Sequence, residues 1–298
     1  MLSFSRLRNM SNKKIIFMNQ KLHSLLLMVA LLSWSMVVAA SDFDDGILKY
    51  TITSPSNLEV QCDGLTDKHK NDEDVMIPST VNYNNRTYTV VILGSGKGYT
   101  SSIGDPTSST DFSKNLKSIQ LPSSITRLNS YVFSGCNNLT EIILPNGIKE
   151  IGEASFSSCR LSSIVIPVSV KKIERYAFKN NSSLMEVFFL SSEKPELGYS
   201  AFYPCHSALT YYVPNKEAYG NASSMVQYVS FPTSTYTYTG MAPKLEWQNN
   251  LKGYTATLED ASALDKSVGA HSANVKVRYS NGVDITVEIP YEYTITPA

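Results

Sequence analysis

Four cysteines and four histidines are all the thiol and imidazole side chains, the versatile groups of metal, redox and nucleophilic chemistry, that 298 residues hold. Cys-x-x-Cys, His-Glu-x-x-His and Gly-x-Ser-x-Gly are absent, and so is the Gly-x-x-x-x-Gly-Lys-Ser/Thr loop that cradles phosphate. Gly94-Ser-Gly96-Lys-Gly98 has the wrong spacing for that loop and reads as a turn. The histidines (His23, His69, His206, His271) are scattered, and none sits in a nucleophile or zinc pattern. Asp42-Phe-Asp-Asp45 lacks the ligand ring of a calcium loop. No catalytic residues, metal or cofactor are therefore expected, and the chain is not read as an enzyme.

Charge is also scarce. Lys, Arg, Asp and Glu make up 17% of the chain and balance at 26 of each sign. The first 40 residues hold Arg6, Arg8, Lys13, Lys14 and Lys21 and no acid. The remainder then carries 21 basic against 26 acidic side chains, a net charge of −5. A mildly acidic protein lacks the basic excess that phosphate backbones require, so nucleic acid is not an expected partner.

The same 40 residues contain the one long apolar run. Its core is Leu25–Leu32, extended through Trp34 and Met36 to Val38. Small residues (Val38-Ala39-Ala40) precede a polar start at Ser41-Asp42, which is the order of a cleaved export signal. The run is about 16 residues, short of the roughly 20 that span a bilayer. Met1, Met10 and Met18 are all candidate starts. An exported product with no membrane span after cleavage is expected, secreted or held at the cell surface, with the periplasm also compatible.

What the chain has in abundance is a repeat. Leu116-Lys-Ser-Ile119-Gln-Leu121-Pro122 is followed by Ile125, Leu128, Phe133 and Cys136. Leu139-Thr-Glu-Ile142-Ile-Leu144-Pro145 is followed by Ile148, Ile151, Phe156 and Cys159, and Leu161-Ser-Ser-Ile164-Val-Ile166-Pro167 by Val170, Ile173, Phe178 and Asn181. The prolines recur at 122, 145 and 167. A fixed period of this length marks stacked units that cannot bury an apolar face alone. Proline after each strand ends it, because it cannot donate to a ladder. A fourth unit runs through Val187, Phe189, Leu197, Phe202 and Cys205, and a fifth strand is Tyr211-Tyr-Val213-Pro214. Cys136, Cys159 and Cys205 share one repeat position with Asn181, which cannot cross-link, so free buried thiols are favoured over disulfides.

Around this centre the chain divides into a signal peptide (1–40), an N-terminal cap (41–93), the repeat solenoid (94–215), a linker (216–233) and a β domain (234–298). In the cap, Val75-Met-Ile77-Pro78 repeats the strand-and-proline signature, and Asn84-Asn85 turns between two strands. Between 94 and 115 either Leu93-Gly94 or Ile103-Gly104 is the counterpart of Ile151-Gly152, and Phe112 is the counterpart of the repeat phenylalanine. From Tyr236 the pattern becomes simple alternation, with an Asn281-Gly282 hairpin signal, which suggests a small β-sandwich.

The repeat pattern, Leu-x-x-Ile-x-(Leu/Ile)-Pro followed by Ile-(Gly/Glu)-x-x-(Ala/Ser)-Phe-x-x-(Cys/Asn), resembles the BspA-type leucine-rich repeat family over about residues 44–215. Asp45-Gly46-Ile47-Leu-Lys-Tyr50 is similar to that family's N-terminal cap. Tyr238-Thr-Gly-x-Ala-Pro243 and Tyr293-Thr-Ile-Thr-Pro-Ala298 resemble the frame of bacterial Ig-like modules. The resemblance implies a mainly β fold: a leucine-rich-repeat solenoid of short strands and turns with an N-terminal cap, followed by an Ig-like sandwich. It also implies a surface protein of a host-associated microbe that attaches to host matrix or to other cells.

Alternation within each strand yields the candidate site. Flanking pairs such as Ile142/Leu144 point inward, and the residue between points outward. Those outward residues are Gln120, Ile143, Val165, Phe188 and Tyr212, beside polar positions that include Glu141 and Glu186. An apolar column rimmed by polar residues fits adhesion to a host extracellular-matrix or cell-surface protein or glycan, or to another microbial cell. Branched and aromatic residues also favour strands for their own sake, and on that reading the chain is a spacer of the cell envelope without a ligand. Arg127, Lys149, Lys171 and Lys172 in the turns are a lesser, basic candidate.

Overall fold

The computed structural model describes residues 42–96, 111–112, 114–220, 223–231, 233–251, 255–260, 264–280 and 284–298. The expected export leader, most of the stretch before Phe112 and the Asn281-Gly282 turn lie outside them. Among the described residues there are 21 strands and no helix.

Three strands open the chain, β1 (Asp42–Asp44), β2 (Leu48–Ser54) and β3 (Glu59–Leu65), paired antiparallel in sequence order. After β4 (Asp74–Met76), β5 (Thr80–Tyr83) and β6 (Arg86–Leu93) make a hairpin whose turn residues Asn84 and Asn85 both take positive φ, 49° and 59°. Asparagine tolerates that conformation better than most residues. The repeats follow as β7 (Ser118–Gln120), β8 (Arg127–Leu128), β9 (Glu150–Ile151), β10 (Ser163–Ile166), β11 (Lys172–Ile173), β12 (Glu186–Phe189), β13 (Glu196–Leu197), β14 (Thr210–Val213) and β15 (Met225–Gln227).

Each coil of the solenoid has two sides. One is the strand before the proline, giving a two-stranded sheet β4-β7 and a four-stranded parallel sheet β10-β12-β14-β15. The segment Glu141–Leu144 lies between them in sequence but enters no ladder, so this side is interrupted there. The other side is the short strand after the proline, where β6, β8, β9, β11 and β13 stack in parallel and the β1-β2-β3 antiparallel unit continues the sheet. Leu93 pairs with Leu128 and Leu128 with Ile151, so Leu93-Gly94 is the counterpart of Ile151-Gly152 and the insertion falls between Gly94 and Phe112.

The interior is ruled by two ladders. Phe112, Phe133, Phe156, Phe178 and Phe202 lie ring on ring, with successive centroids 5.3, 5.2, 5.1 and 4.8 Å apart. Each buried phenylalanine contributes about 2–3 kcal/mol of transfer free energy, so the ring stack is a principal support of the coil. Beside it, the thiol of Cys159 donates to the Phe133 carbonyl at 3.2 Å, Asn181 Nδ2 to that of Phe156 at 2.7 Å, and Cys205 to that of Phe178 at 3.2 Å. All four cysteines are free thiols. Burial, with Cys136 nearby, raises the pKa of Cys159 well above that of a free thiol, and burial raises that of Cys205 to about 11. Both remain protonated at neutral pH and keep the hydrogen each donates.

Residues 216–233, read in the sequence as a linker, extend the stack. Tyr219 is buried in the repeat core, β15 adds a parallel strand to β14, and Tyr228 and Val229 are buried. The chain then forms β16 (Val229–Ser230), β17 (Thr235–Thr237), β18 (Gln248–Asn249), β19 (Thr255–Asp260), β20 (Gly269–Ser280) and β21 (Asp284–Thr296). Four of these make one sheet, β17-β21-β20-β19, in which β17 lies parallel to the end of β21; β16 and β18 make a two-stranded ribbon. The described strands thus form a β domain of one sheet and one ribbon, where the alternation suggests two matched sheets of an Ig-like sandwich. The reason lies in what its apolar face meets: Val275, Val277, Tyr279, Val287 and Ile289 cluster with Phe188 and Tyr228 of the solenoid end.

Candidate functional site

Strand alternation places the outward column as a row across neighbouring coils. Register sets Val165 beside Phe188, Phe188 beside Tyr212, and Tyr212 beside Val226. On the other sheet Met76 stands beside Gln120, so the column begins one coil earlier than Gln120. The Val75-Met76-Ile77-Pro78 signature carried that information in the sequence.

The column is divided into two parts. Ile143 is 82% exposed and Met76 68%, and Gln120 is exposed between them in the coil order. Glu141 and Asp74 are exposed on the same face, Asp74 accepting a hydrogen bond from Ser118. Phe188, by contrast, is 1% exposed, which corrects its reading as an open surface residue. Its ring stacks on Tyr212 at 4.8 Å and approaches Tyr228 at 6.4 Å, and Tyr228 in turn meets Tyr279 of β20 at 5.5 Å. Val165 and Tyr212 are half-buried against the same cluster. Two adjacent aromatic rings are costly to leave in water, and the following domain covers them. Glu186, half-buried, accepts a long 3.4 Å hydrogen bond from the Tyr212 hydroxyl.

The basic turn residues do not form a patch of one sign. Across β8, β9, β11 and β13 the register is Arg127, Glu150, Lys172, Glu196, a column of alternating charge. Arg127 Nε lies 3.3 Å from Glu150, and Lys172 Nζ 2.9 Å from Glu174. Opposite charges directly across strands stabilise a sheet by a few tenths of a kcal/mol up to about 1. Lys149 and Lys171 remain exposed.

Alternation could not reveal an acidic cleft at the N-terminal end, because its residues come from distant parts of the chain. Asp42, Asp44, Asp63 and Asp111 line a space of about 540 Å³ together with Lys49 and Lys70. Asp63 is held by Thr51 and Gln61, each at 2.6 Å, and Asp111 accepts from the Ser95 amide at 2.8 Å and hydroxyl at 2.7 Å. Burial, with Asp63 adding to it, pushes Asp111 up to about 6 against the pull of the Ser95 hydrogen bonds. No cluster of three or more His, Cys, Asp or Glu able to hold a metal ion is found among the described residues. His69 bonds Asp72, His206 caps the Ala208 amide, and His271 bonds the Ser267 carbonyl.

Comparison with known proteins falls on the repeats. A family model described as the BspA type leucine rich repeat region matches residues 108–227 in six copies. A leucine-rich repeat protein from Bacteroides ovatus is 25% identical with a TM-score of 0.36, over 49% of this chain and 41% of that one. One from Bacteroides capillosus is 21% identical with a TM-score of 0.40, over 50% of this chain and 98% of that one. The pneumococcal vaccine antigen PcpA is 20% identical with a TM-score of 0.43, over 58% and 46%. The chain thus spans about two fifths of the Bacteroides ovatus protein's length. No curated protein matches it. The matched residues 108–227 contain the coils that carry the phenylalanine and cysteine ladders, and over that stretch the chain has a BspA type leucine rich repeat region.

Proposed function

We propose that the chain is an exported, non-enzymatic protein, secreted or displayed at a cell surface, that binds a host or microbial macromolecule through the exposed part of its repeat face. The observation that carries this reading is Ile143, a large apolar side chain 82% exposed at the repeat position where Phe188 is buried. A chain able to cover Phe188 and Tyr212 with its own C-terminal domain leaves Met76, Gln120 and Ile143 uncovered beside Asp74 and Glu141. Host matrix protein or glycan, or a second microbial cell, are the classes to test. The test compares purified chain with the paired substitution Ile143→Ser and Glu141→Lys on immobilised matrix protein, mucin and microbial cells. Both residues are exposed, so folding is unaffected and binding falls at least about tenfold. Unchanged binding by the double variant removes this face from consideration.

A second reading, a spacer without its own ligand, is favoured by the buried Phe188–Tyr228–Tyr279 contact, which ties the solenoid to the C-terminal sheet. Failure of the intact chain to bind any of the three classes supports the spacer.

A further inference from the structure

The last coil is left open on one side. After β14 and Pro214 the chain turns at 215–220, where Tyr219 seals the core and its hydroxyl donates to the carbonyls of Ser191 and Glu193 at 2.9 and 3.1 Å. It then returns as β15 beside β14, and among the described residues no strand is laid against the outer edge of β13. In the earlier coils that edge is always taken up. Lys149 and Ile151 carbonyls accept from Lys171 and Glu174, and Lys171 and Ile173 carbonyls accept from Glu196 and Gly198. In the adjoining turn, Tyr176 and Phe178 amides donate to Tyr199 and Ala201. One step further along these columns stand the Pro195 and Leu197 carbonyls and the Ser200 and Phe202 amides, which no further coil meets among the described residues.

Side chains mark the same opening. Leu197 occupies the position of the buried Ile151 and Ile173 yet is 36% exposed, with Tyr199 at 75% and Tyr203 at 72% close by in sequence. An unpaired edge with exposed apolar residues is a template for strand addition. Charge states what fits. The column Arg127, Glu150, Lys172, Glu196 alternates in sign and ends on a carboxylate, so the next place calls for a cation.

We propose that the β13 edge receives a short extended segment of a partner protein in which Lys or Arg is directly followed by a branched aliphatic residue. The basic side chain faces Glu196 and the aliphatic one covers Leu197. The segment is short because Pro204, in the column of the donating amides of Gly135, Ser158 and Asn180, has no hydrogen to give. A second copy of this chain offers Glu196-Leu197 at its own edge and places like charges together, so self-pairing is disfavoured.

The probe is a labelled peptide of residues 167–179, whose Lys172-Ile173 pair has the required chemistry, titrated into the full chain by fluorescence anisotropy. Saturable binding is expected. It weakens at least tenfold with Glu196→Lys in the protein or Lys172→Glu in the peptide, and returns when the two changes are combined. Circular dichroism confirms that the exposed Glu196 variant is folded. Absence of binding at millimolar peptide, or failure of the combined charge exchange to restore it, overturns the proposal. So does a dimer in sedimentation that Leu197→Asp dissolves, since the edge then serves a second copy. The repeat-face variants Ile143→Ser and Glu141→Lys leave peptide binding unchanged, which separates this edge from the face proposed above.

Discussion

Asn181 shows at the scale of one side chain how the repeat constrains sequence. It is buried, its Nδ2 is held by the carbonyls of Phe156 and Phe178 at 2.7 and 2.8 Å, and its Oδ1 has no partner. An unsatisfied buried acceptor costs about 1–3 kcal/mol. The neighbouring coils use cysteine, which gives one donor and leaves no comparable orphan. Asn181→Cys is therefore expected to raise the unfolding free energy by about 1 kcal/mol, whereas Asn181→Ala loses the donor and lowers it by about 1–2 kcal/mol. Denaturant melts decide this, and an Asn181→Cys variant weaker than the parent would refute the account. Asp111 supplies the pH counterpart. Its folded pKa of about 6 lies above the ordinary 3.8, so the folded state holds the proton more tightly. That stabilisation is complete below about pH 4 and is lost as pH rises through about 6, a fall on the order of 2–3 kcal/mol. In Asp111→Asn the slope of stability against pH over that window flattens, measurable by thermal melts from pH 4 to 7.

At the scale of elements, what was legible in the sequence was whatever repeats. Leu-x-x-Ile-x-Leu-Pro fixed the inward pairs, and Phe at every coil gave the ring stack, because a stacked fold forces equivalent residues into equivalent places. Val75-Met-Ile77-Pro78 could be placed for the same reason. What depended on contact between unlike parts was not legible. Nothing in Glu186-Val-Phe188-Phe189 distinguishes a ring that faces solvent from one that Tyr228 and Tyr279 will cover. The acidic cleft and the choice of Leu93-Gly94 over Ile103-Gly104 likewise depended on partners far apart in the chain. The buried ring gives its own prediction. Phe188→Ala removes a side chain packed against Tyr212 and Tyr228 and costs about 3–4 kcal/mol. Because the loss falls on the contact between solenoid and C-terminal sheet, limited proteolysis is expected to cut first near residues 230–245. Cleavage at the same sites and rate as in the parent chain would show that the ring does not couple the two.

For the whole molecule the question is which parts stand alone. Stability in a stacked fold is close to a sum of units and their nearest-neighbour contacts, provided the ends are covered. One end is covered by the β1-β2-β3 unit, which continues the sheet through β6, and the core and β14 edge of the other by Tyr219 and β15, with only the short β13 edge left open among the described residues. Those covers lie within residues 42–233, so removing 234–298 forfeits the contact with the C-terminal sheet but no coil. The truncated chain is expected to keep its β-sheet circular dichroism and to unfold in one transition at lower temperature. It also uncovers Phe188 and Tyr228 together with half-buried Val165 and Tyr212, an apolar patch of the kind that drives association. Strong binding of a hydrophobic dye, and concentration-dependent self-association, are therefore expected of the truncated chain and not of the full one. Phe188→Ser within the truncated chain lowers both, since it takes a central apolar ring out of the patch while leaving the phenylalanine stack intact. If the truncated chain instead loses its β-sheet signal, the C-terminal sheet is itself a cap on which the coils depend, and the solenoid and β domain form one cooperative unit.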